Sequence, residues 1–159
     1  MREIKYSDLV DLQRQALDEA ARVMENAYNP YSHFYVGACL ISVDDQLIGG
    51  ANVENSAFGS TICAERAAIL RANAMGIRIF SGVAIIGRGD NFDTSEVTGP
   101  CGSCRQMLYE LVQLSGYDLE VIMSTTKKDT IIVATMNELL PLAFGPVNLG
   151  VDVSKYRRK

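Results

Sequence analysis

The chain has 159 residues, 48% hydrophobic and 21% charged, with four prolines and a formal net charge of −4. That length and mixture suit one globular domain able to bury about two thirds of its unfolded surface, and they exclude disordered, collagenous and low-complexity classes. Basic residues cluster only at Lys155-Tyr156-Arg157-Arg158-Lys159, which reads as a solvated terminus, so no face offers the phosphate footprint that a polynucleotide binder needs.

From Ser7, a candidate N-cap, the residues Leu9, Leu12, Ala16, Ala20, Val23, Met24 and Ala27 recur at three- and four-residue steps. This is the stripe of an amphipathic helix, and Asn29-Pro30 ends it because the residue before proline is pushed out of the helical region. Residues 35–43 form a β-rich run, followed by a second run through Leu47-Ile48; the two predict a hairpin turning at Asp44-Asp45. After a loop from Ala51 to Ser60, Cys63 to Ala74 predicts a helix closed by Gly76. Gly82 to Gly87 is a short apolar run between glycines, the pattern of a strand covered on both faces.

Arg88 to Gly99 is polar and turn-rich and reads as a surface loop. Gln106 to Leu114 continues as a helix, and strands are expected at Leu119 to Met123 and Thr130 to Ala134, around a turn at Lys127-Lys128-Asp129. Thr135-Met136-Asn137-Glu138 fits a helix capping box, and Pro141 stops that helix early. The sum is an α/β domain over 1–159, with helices on both faces of one five-stranded sheet and with residues 1–6 and 151–159 as frayed termini. The charged N-terminal region and the lack of a long apolar run predict neither secretion nor membrane spanning.

Chemistry concentrates in Thr61-Ile62-Cys63-Ala64-Glu65-Arg66 and Pro100-Cys101-Gly102-Ser103-Cys104-Arg105-Gln106. Three of the four cysteines lie here, each at or near a predicted helix start, where unpaired backbone N–H groups and the helix dipole favour a thiolate. Cys101 and Cys104, three apart, share one side of a helical turn, within reach of Cys63 from another helix start. Three sulfur ligands suit zinc and leave a fourth position for water or substrate. A redox pair at Cys101-x-x-Cys104, with Cys63 as a buried hydrophobe, is the competing reading, and Cys39 within an apolar strand reads as core.

Glu65, two residues from Cys63, favours the zinc reading, because a carboxylate at hydrogen-bond range of metal-activated water supplies general acid/base chemistry. Arg66 and Arg105 each follow a motif, and one or both are expected to donate hydrogen bonds to ligand sulfurs, draining their negative charge. Free thiols beside a metal pattern point to a reducing, cytoplasmic location.

Together with Asn29-Pro30-Tyr31-Ser32-His33-Phe34-Tyr35-Val36-Gly37-Ala38, Gly50-Ala51-Asn52-Val53-Glu54-Asn55 and Leu139-Leu140-Pro141-Leu142-Ala143-Phe144-Gly145-Pro146, these motifs make most of the chain resemble the small, three-cysteine cytidine deaminases. The resemblance implies a three-layer α/β/α sandwich around a mixed five-stranded sheet and one Zn2+ per chain on Cys63, Cys101 and Cys104, with Glu65 as proton shuttle. It further implies hydrolytic deamination of free cytidine and deoxycytidine to uridine and deoxyuridine plus ammonia, in pyrimidine salvage.

By the same resemblance Phe34 packs on the pyrimidine, the Ala64 N–H meets the base carbonyl, and Asn52 and Glu54 hydrogen-bond the ribose 3'-hydroxyl. Phe144 enters a neighbouring subunit's site in a homotetramer. Phe58, Ala51 and Gly99 depart from residues frequent in the family, and His33 is expected at the surface. Competing readings are a zinc deaminase for another substrate (a deoxycytidylate, a polynucleotide cytosine or an aminonucleoside antibiotic), a non-catalytic zinc-stabilised binding module, and a redox dithiol protein.

Overall fold

The structure, a computed structural model, describes residues 1–157. Its strands are β1 (Arg2–Ile4), β2 (Phe34–Ser42), β3 (Leu47–Ala51), β4 (Phe80–Gly89), β5 (Glu120–Ser124) and β6 (Ile131–Thr135). They form one sheet in the order β1-β6-β5-β4-β2-β3. Only β4 and β5 run parallel; the other neighbours are antiparallel, so the sheet is mixed. The helices are α1 (Asp11–Met24), α2 (Ala64–Ala74), α3 (Gly102–Ser115) and a single turn, α4 (Met136–Leu139).

Alternation within the central strands builds two cores. Ala38, Leu40, Val83, Ile85, Val121 and Met123 pack with Ala64, Ala68 and Ile69 of α2 and Leu108 and Leu111 of α3. Cys39, Ile41, Ala84, Ile86, Ile122 and Val133 turn to the other face, against Ala16, Leu17, Ala20 and Met24 of α1. Both faces of the sheet are therefore apolar, which explains why β4 reads as a continuous hydrophobic run. The three α/β/α layers follow directly.

Two glycines set how closely the outer layers approach. A Cβ on Gly37 would lie 1.9 Å from the Ala20 carbonyl oxygen of α1, and one on Gly50 would lie 2.3 Å from the Ala68 nitrogen of α2. Both neighbours are backbone atoms with no rotamer to yield, so any side chain here pushes a helix off the sheet. Gly50 thereby helps seat the N-terminal end of α2, which carries one of the cysteine motifs.

Several expectations need correction. The sheet has six strands rather than five, because residues 2–4, expected to fray, pair with Ile131–Val133 as edge strand β1. The C-terminal segment is also docked as far as it is described: the Arg157 guanidinium donates to the Leu114 carbonyl at 2.6 Å, and Arg78 donates to the Tyr156 carbonyl at 3.3 Å. Residues 158–159 of the expected frayed terminus lie outside the described residues.

Ser7 is not the cap of α1. It sits in a 3-10 turn over Tyr6–Asp8, and α1 starts after Val10, whose N–H is satisfied by the Gln13 side chain at 3.0 Å. Helix α3 starts at Gly102 with Cys101 as its N-cap, so the helix that continues through Leu114 begins at the second cysteine motif. The capping box of α4 forms as expected, with Thr135 N–H donating to Glu138 at 2.9 Å and Glu138 N–H donating to the Thr135 hydroxyl at 3.4 Å.

Candidate active site and metal centre

Two helix beginnings converge on one point of the sheet's α2/α3 face. Cys63 is the extended N-cap residue of α2, Cys101 is that of α3, and Cys104 lies in the first turn of α3. The three sulfurs lie within 4.8 Å of one another, and Cys63 Sγ and Cys101 Sγ are 4.0 Å apart. Tetrahedral zinc with Zn–S bonds of about 2.3 Å calls for sulfur–sulfur edges of about 3.8 Å. The donor set fits zinc in both chemistry and spacing.

Burial is graded across the cluster: Cys104 is fully buried, Cys63 half-buried and Cys101 exposed. The cluster thus opens to solvent on the Cys101 side and is closed by the core behind Cys104. The Cys63 thiol is depressed to about 5, first by the hydrogen bond from Cys104, then with help from the Arg66 guanidinium. Cys104, donating that bond from a buried position, holds its proton above the ordinary thiol range. One easily formed thiolate among three sulfurs is a natural first ligand for a soft cation. Cys39 sits on the opposite face of the sheet, fully buried, its thiol pushed up to about 12 by burial, and takes no part.

Glu65, the second residue of α2, is 3% exposed. A helix N-terminus ordinarily favours a carboxylate. Here burial wins and raises the pKa, with the neighbouring Cys63 charge adding to the effect and the Cys104 thiol and Arg66 charge opposing it. Glu65 is thus a buried carboxyl two residues along the chain from Cys63, held more readily protonated than in water.

The two arginines part company. Arg66 donates to the Thr61 carbonyl at 2.6 Å and to Cys63 Sγ at 3.8 Å, while its buried Nε has no partner among the described residues. Arg105 donates instead to the carbonyls of Pro100 (2.9 Å) and Leu139 (2.9 Å) and reaches no sulfur. Of the two, Arg66 reaches a sulfur of the cluster and Arg105 does not: the Arg105 side chain staples the Cys101 loop to the end of α4.

The other expected site residues fall in three places. Ala64 is buried at the first position of α2, where its N–H lacks an intrahelical partner. Phe34 opens β2 half-buried, its ring against Gly87. Asn52, 8% exposed, accepts from Val36 N–H at 2.9 Å and donates to the Phe34 carbonyl at 3.0 Å, tying β3 to β2. One N–H and one lone pair of that amide remain for a ligand.

Glu54 accepts from the N–H groups of Tyr31 (2.9 Å) and Ser32 (3.1 Å) through one oxygen. Burial pulls its pKa up, but the Ser32 hydroxyl and these N–H groups outweigh it and hold the carboxyl below its ordinary range. Phe144 is not brought to the cluster; it is 57% exposed beside Gln106, Glu110 and Pro146. His33 is exposed, with φ of 54°, and Phe58 is 72% exposed, edge-on to Tyr31 at 5.4 Å.

One residue near Phe34 escaped the sequence reading. Phe92, in the polar 88–99 loop, lies 6.4 Å from Phe34 between ring centroids. A lone aromatic in a turn-rich stretch carries no periodicity, so the one available signal was its size.

Comparison with known proteins agrees with this geometry. Residues 11–115 match the family model described as the cytidine and deoxycytidylate deaminase zinc-binding region. The chain is 41% identical over 134 residues to a cytidine deaminase of Halalkalibacterium halodurans, covering 84% of this chain and 95% of that one. It is 39% identical over 131 residues to one of Sporosarcina psychrophila, covering 82% and 90%. The crystal structure of a cytidine deaminase from Burkholderia pseudomallei superposes with a TM-score of 0.74 at 36% identity, covering 86% of this chain and all of that one.

Proposed function

The chain belongs to the cytidine and deoxycytidylate deaminase family of hydrolases, and from that premise we propose that it deaminates free cytidine and deoxycytidine, yielding uridine or deoxyuridine and ammonia. The observation that carries the reading is the three-sulfur cluster with a buried carboxyl, Glu65, beside it. Cys63, Cys101 and Cys104 hold one zinc ion per chain. When bound, zinc supplies the Lewis acidity that makes water a nucleophile at neutral pH.

Glu65 takes one proton from the water attacking C4 of the cytosine ring and delivers it to N3, then takes the remaining proton from the new C4 hydroxyl and passes it to the exocyclic amine, whose bond to C4 breaks as the C4 carbonyl forms. Zinc-dependent cytosine deamination is the established case of this acid/base relay. The Ala64 N–H meets the base carbonyl, Phe34 packs on the ring, and Asn52 and the free oxygen of Glu54 bind the ribose 3'-hydroxyl. A carboxylate at the sugar disfavours a 3'-phosphate by like charge, which sets nucleosides ahead of polynucleotides. Arg66 offsets the charge that three thiolates place on zinc.

An apolar groove of about 430 Å³ between α2 and α3, lined by Ile69, Leu70, Met107 and Leu111, supports assembly of copies, and Phe144 projects from an adjoining exposed stretch. We read the protein as a homotetramer in which Phe144 completes a neighbour's pocket; a one-chain mass in sedimentation would overturn this. Free thiols fit the cytoplasm and the product fits pyrimidine salvage, and among the described residues no helix is long and apolar enough to cross a membrane.

The test is ultraviolet loss of the cytosine chromophore with cytidine, deoxycytidine and cytidine monophosphate, for wild type and Glu65→Gln. Wild-type turnover of the nucleosides is expected, with Glu65→Gln retaining zinc and losing about a hundredfold to ten-thousandfold in rate. A zinc-loaded wild type inert towards all three compounds would overturn the function; an active Glu65→Gln would overturn the shuttle.

A further inference from the structure

Phe92 is 62% exposed, yet its ring is held in a defined place. It tilts by 38° against Phe34 at 6.4 Å, and it fills the space beside Gly89, where a Cβ would lie 2.1 Å from the ring. That separation is within the range over which aromatic rings attract. Phe34 in turn lies over Gly87, where a Cβ would stand 3.1 Å from its ring and 2.7 Å from the Thr98 hydroxyl. Thr98 is three residues before Cys101. Phe92, Phe34 and Thr98 therefore line up from the surface to the segment that leads into the cysteine cluster.

The loop carrying Phe92 is pinned at several points. Gly89 N–H donates to the Phe92 carbonyl at 2.9 Å, and Thr98 N–H donates to Ser124 at 3.2 Å. Thr94 N–H donates to the Thr126 hydroxyl at 2.8 Å, Thr126 N–H donates to the Thr94 hydroxyl at 3.1 Å, and the Thr126 hydroxyl donates to the Gly87 carbonyl at 2.7 Å. Between this loop and Phe34 lies a cavity of about 370 Å³ whose wall includes Phe92, Thr94, Glu96 and Thr98.

We propose that Phe92 is a positioning residue for the base site: it backs the Phe34 ring, and residues 90–98 form the outer wall of the pyrimidine pocket. The inference rests on the reading of Phe34 as the ring that packs on the base. A planar base is bound best by a ring already held in place, because a free ring must be ordered at the moment of binding. Phe92 touches no reacting atom, so its removal weakens binding of ground state and transition state alike and acts on KM.

The experiment is steady-state kinetics on cytidine for wild type, Phe92→Ala, Phe92→Tyr and Phe34→Ala, with zinc content and melting temperature measured on each. Phe92→Ala is expected to raise KM about threefold to tenfold, as loss of one aromatic pair implies, with kcat within about twofold of wild type. Phe92→Tyr, which keeps the ring, is expected to restore KM, and zinc content and melting temperature stay at the wild-type level.

An unchanged KM in Phe92→Ala beside a raised KM in Phe34→Ala would overturn the role of Phe92 and leave the base-packing reading standing. An unchanged KM in Phe34→Ala would overturn that reading itself. A loss of zinc or of melting temperature in Phe92→Ala, together with a fall in kcat, would replace positioning with a structural role.

Discussion

Gly50→Ala isolates the packing that seats the candidate active site. The new Cβ would stand 2.3 Å from the Ala68 nitrogen and 2.7 Å from the Ala64 carbonyl oxygen, against ordinary contact at 3.4 Å, so α2 must retreat by about 1.1 Å (3.4 − 2.3). Overpacking of this kind costs about 1–3 kcal/mol, towards the upper end here because both atoms met are backbone. For a chain of this length that lowers the melting temperature by about 3–10 °C. The same retreat moves Cys63 and Glu65, which ride on α2, away from Cys101 and Cys104, which ride on α3. A misplacement of about 1 Å at reacting groups lowers turnover by about a hundredfold. Calorimetry and cytidine turnover on the folded variant check both effects. A variant with the melting temperature and kcat of the wild type would refute the claim that contact of α2 with β3 sets the site.

Arg66→Gln removes the donors to Thr61 and Cys63 Sγ, and about a tenfold to hundredfold loss of zinc affinity or turnover is expected without loss of fold. Competition with a coloured chelator and kinetics on cytidine read it; wild-type values in both would sink the role of Arg66. Stripping zinc with a chelator is expected to abolish turnover, with zinc restoring it and magnesium failing to, since thiolates prefer the softer ion. Turnover that persists in protein freed of metal would refute the zinc assignment. The two 2.7 Å bonds from Arg22 hold Glu19 below its ordinary 4.5, against a smaller cost of burial. Their contribution to stability is therefore complete above about pH 4.5 and lost as pH falls through the lower folded value. Acid melting curves of Glu19→Gln should accordingly be flatter than those of the wild type, by a small margin because Arg22 is 65% exposed; identical slopes would count against the pair.

Legibility followed the range of the interactions involved. The body of α1 was readable because Ala16, Ala20, Val23 and Met24 encode one helical face locally, whereas its start was misread because a 3-10 turn and the Gln13 side chain, not Ser7, satisfy the entry. Strand β1 was unreadable: three residues hold no period, and Arg2–Ile4 becomes a strand only because β6 offers an open edge. In the candidate site the ligand types and the Cys101-x-x-Cys104 spacing were legible. Arg105 looked equivalent to Arg66 but points to Pro100 and Leu139 instead of a sulfur.

By itself the sequence determined what short-range chemistry can write: helical and strand periods, the capping box at Thr135, and two cysteine motifs at helix starts with Glu65 in the first of them. Only the tertiary structure decided that Cys63, 38 residues from Cys101, stands 4.0 Å from it, that Glu65 is buried enough to have its pKa raised, and that Phe92 meets Phe34. The reason is physical. A residue's backbone preference acts over a few neighbours, but its solvent, its charge partners and its reach are set by segments distant in sequence. Those segments come together only when the closely seated α2 and the sheet have closed around them.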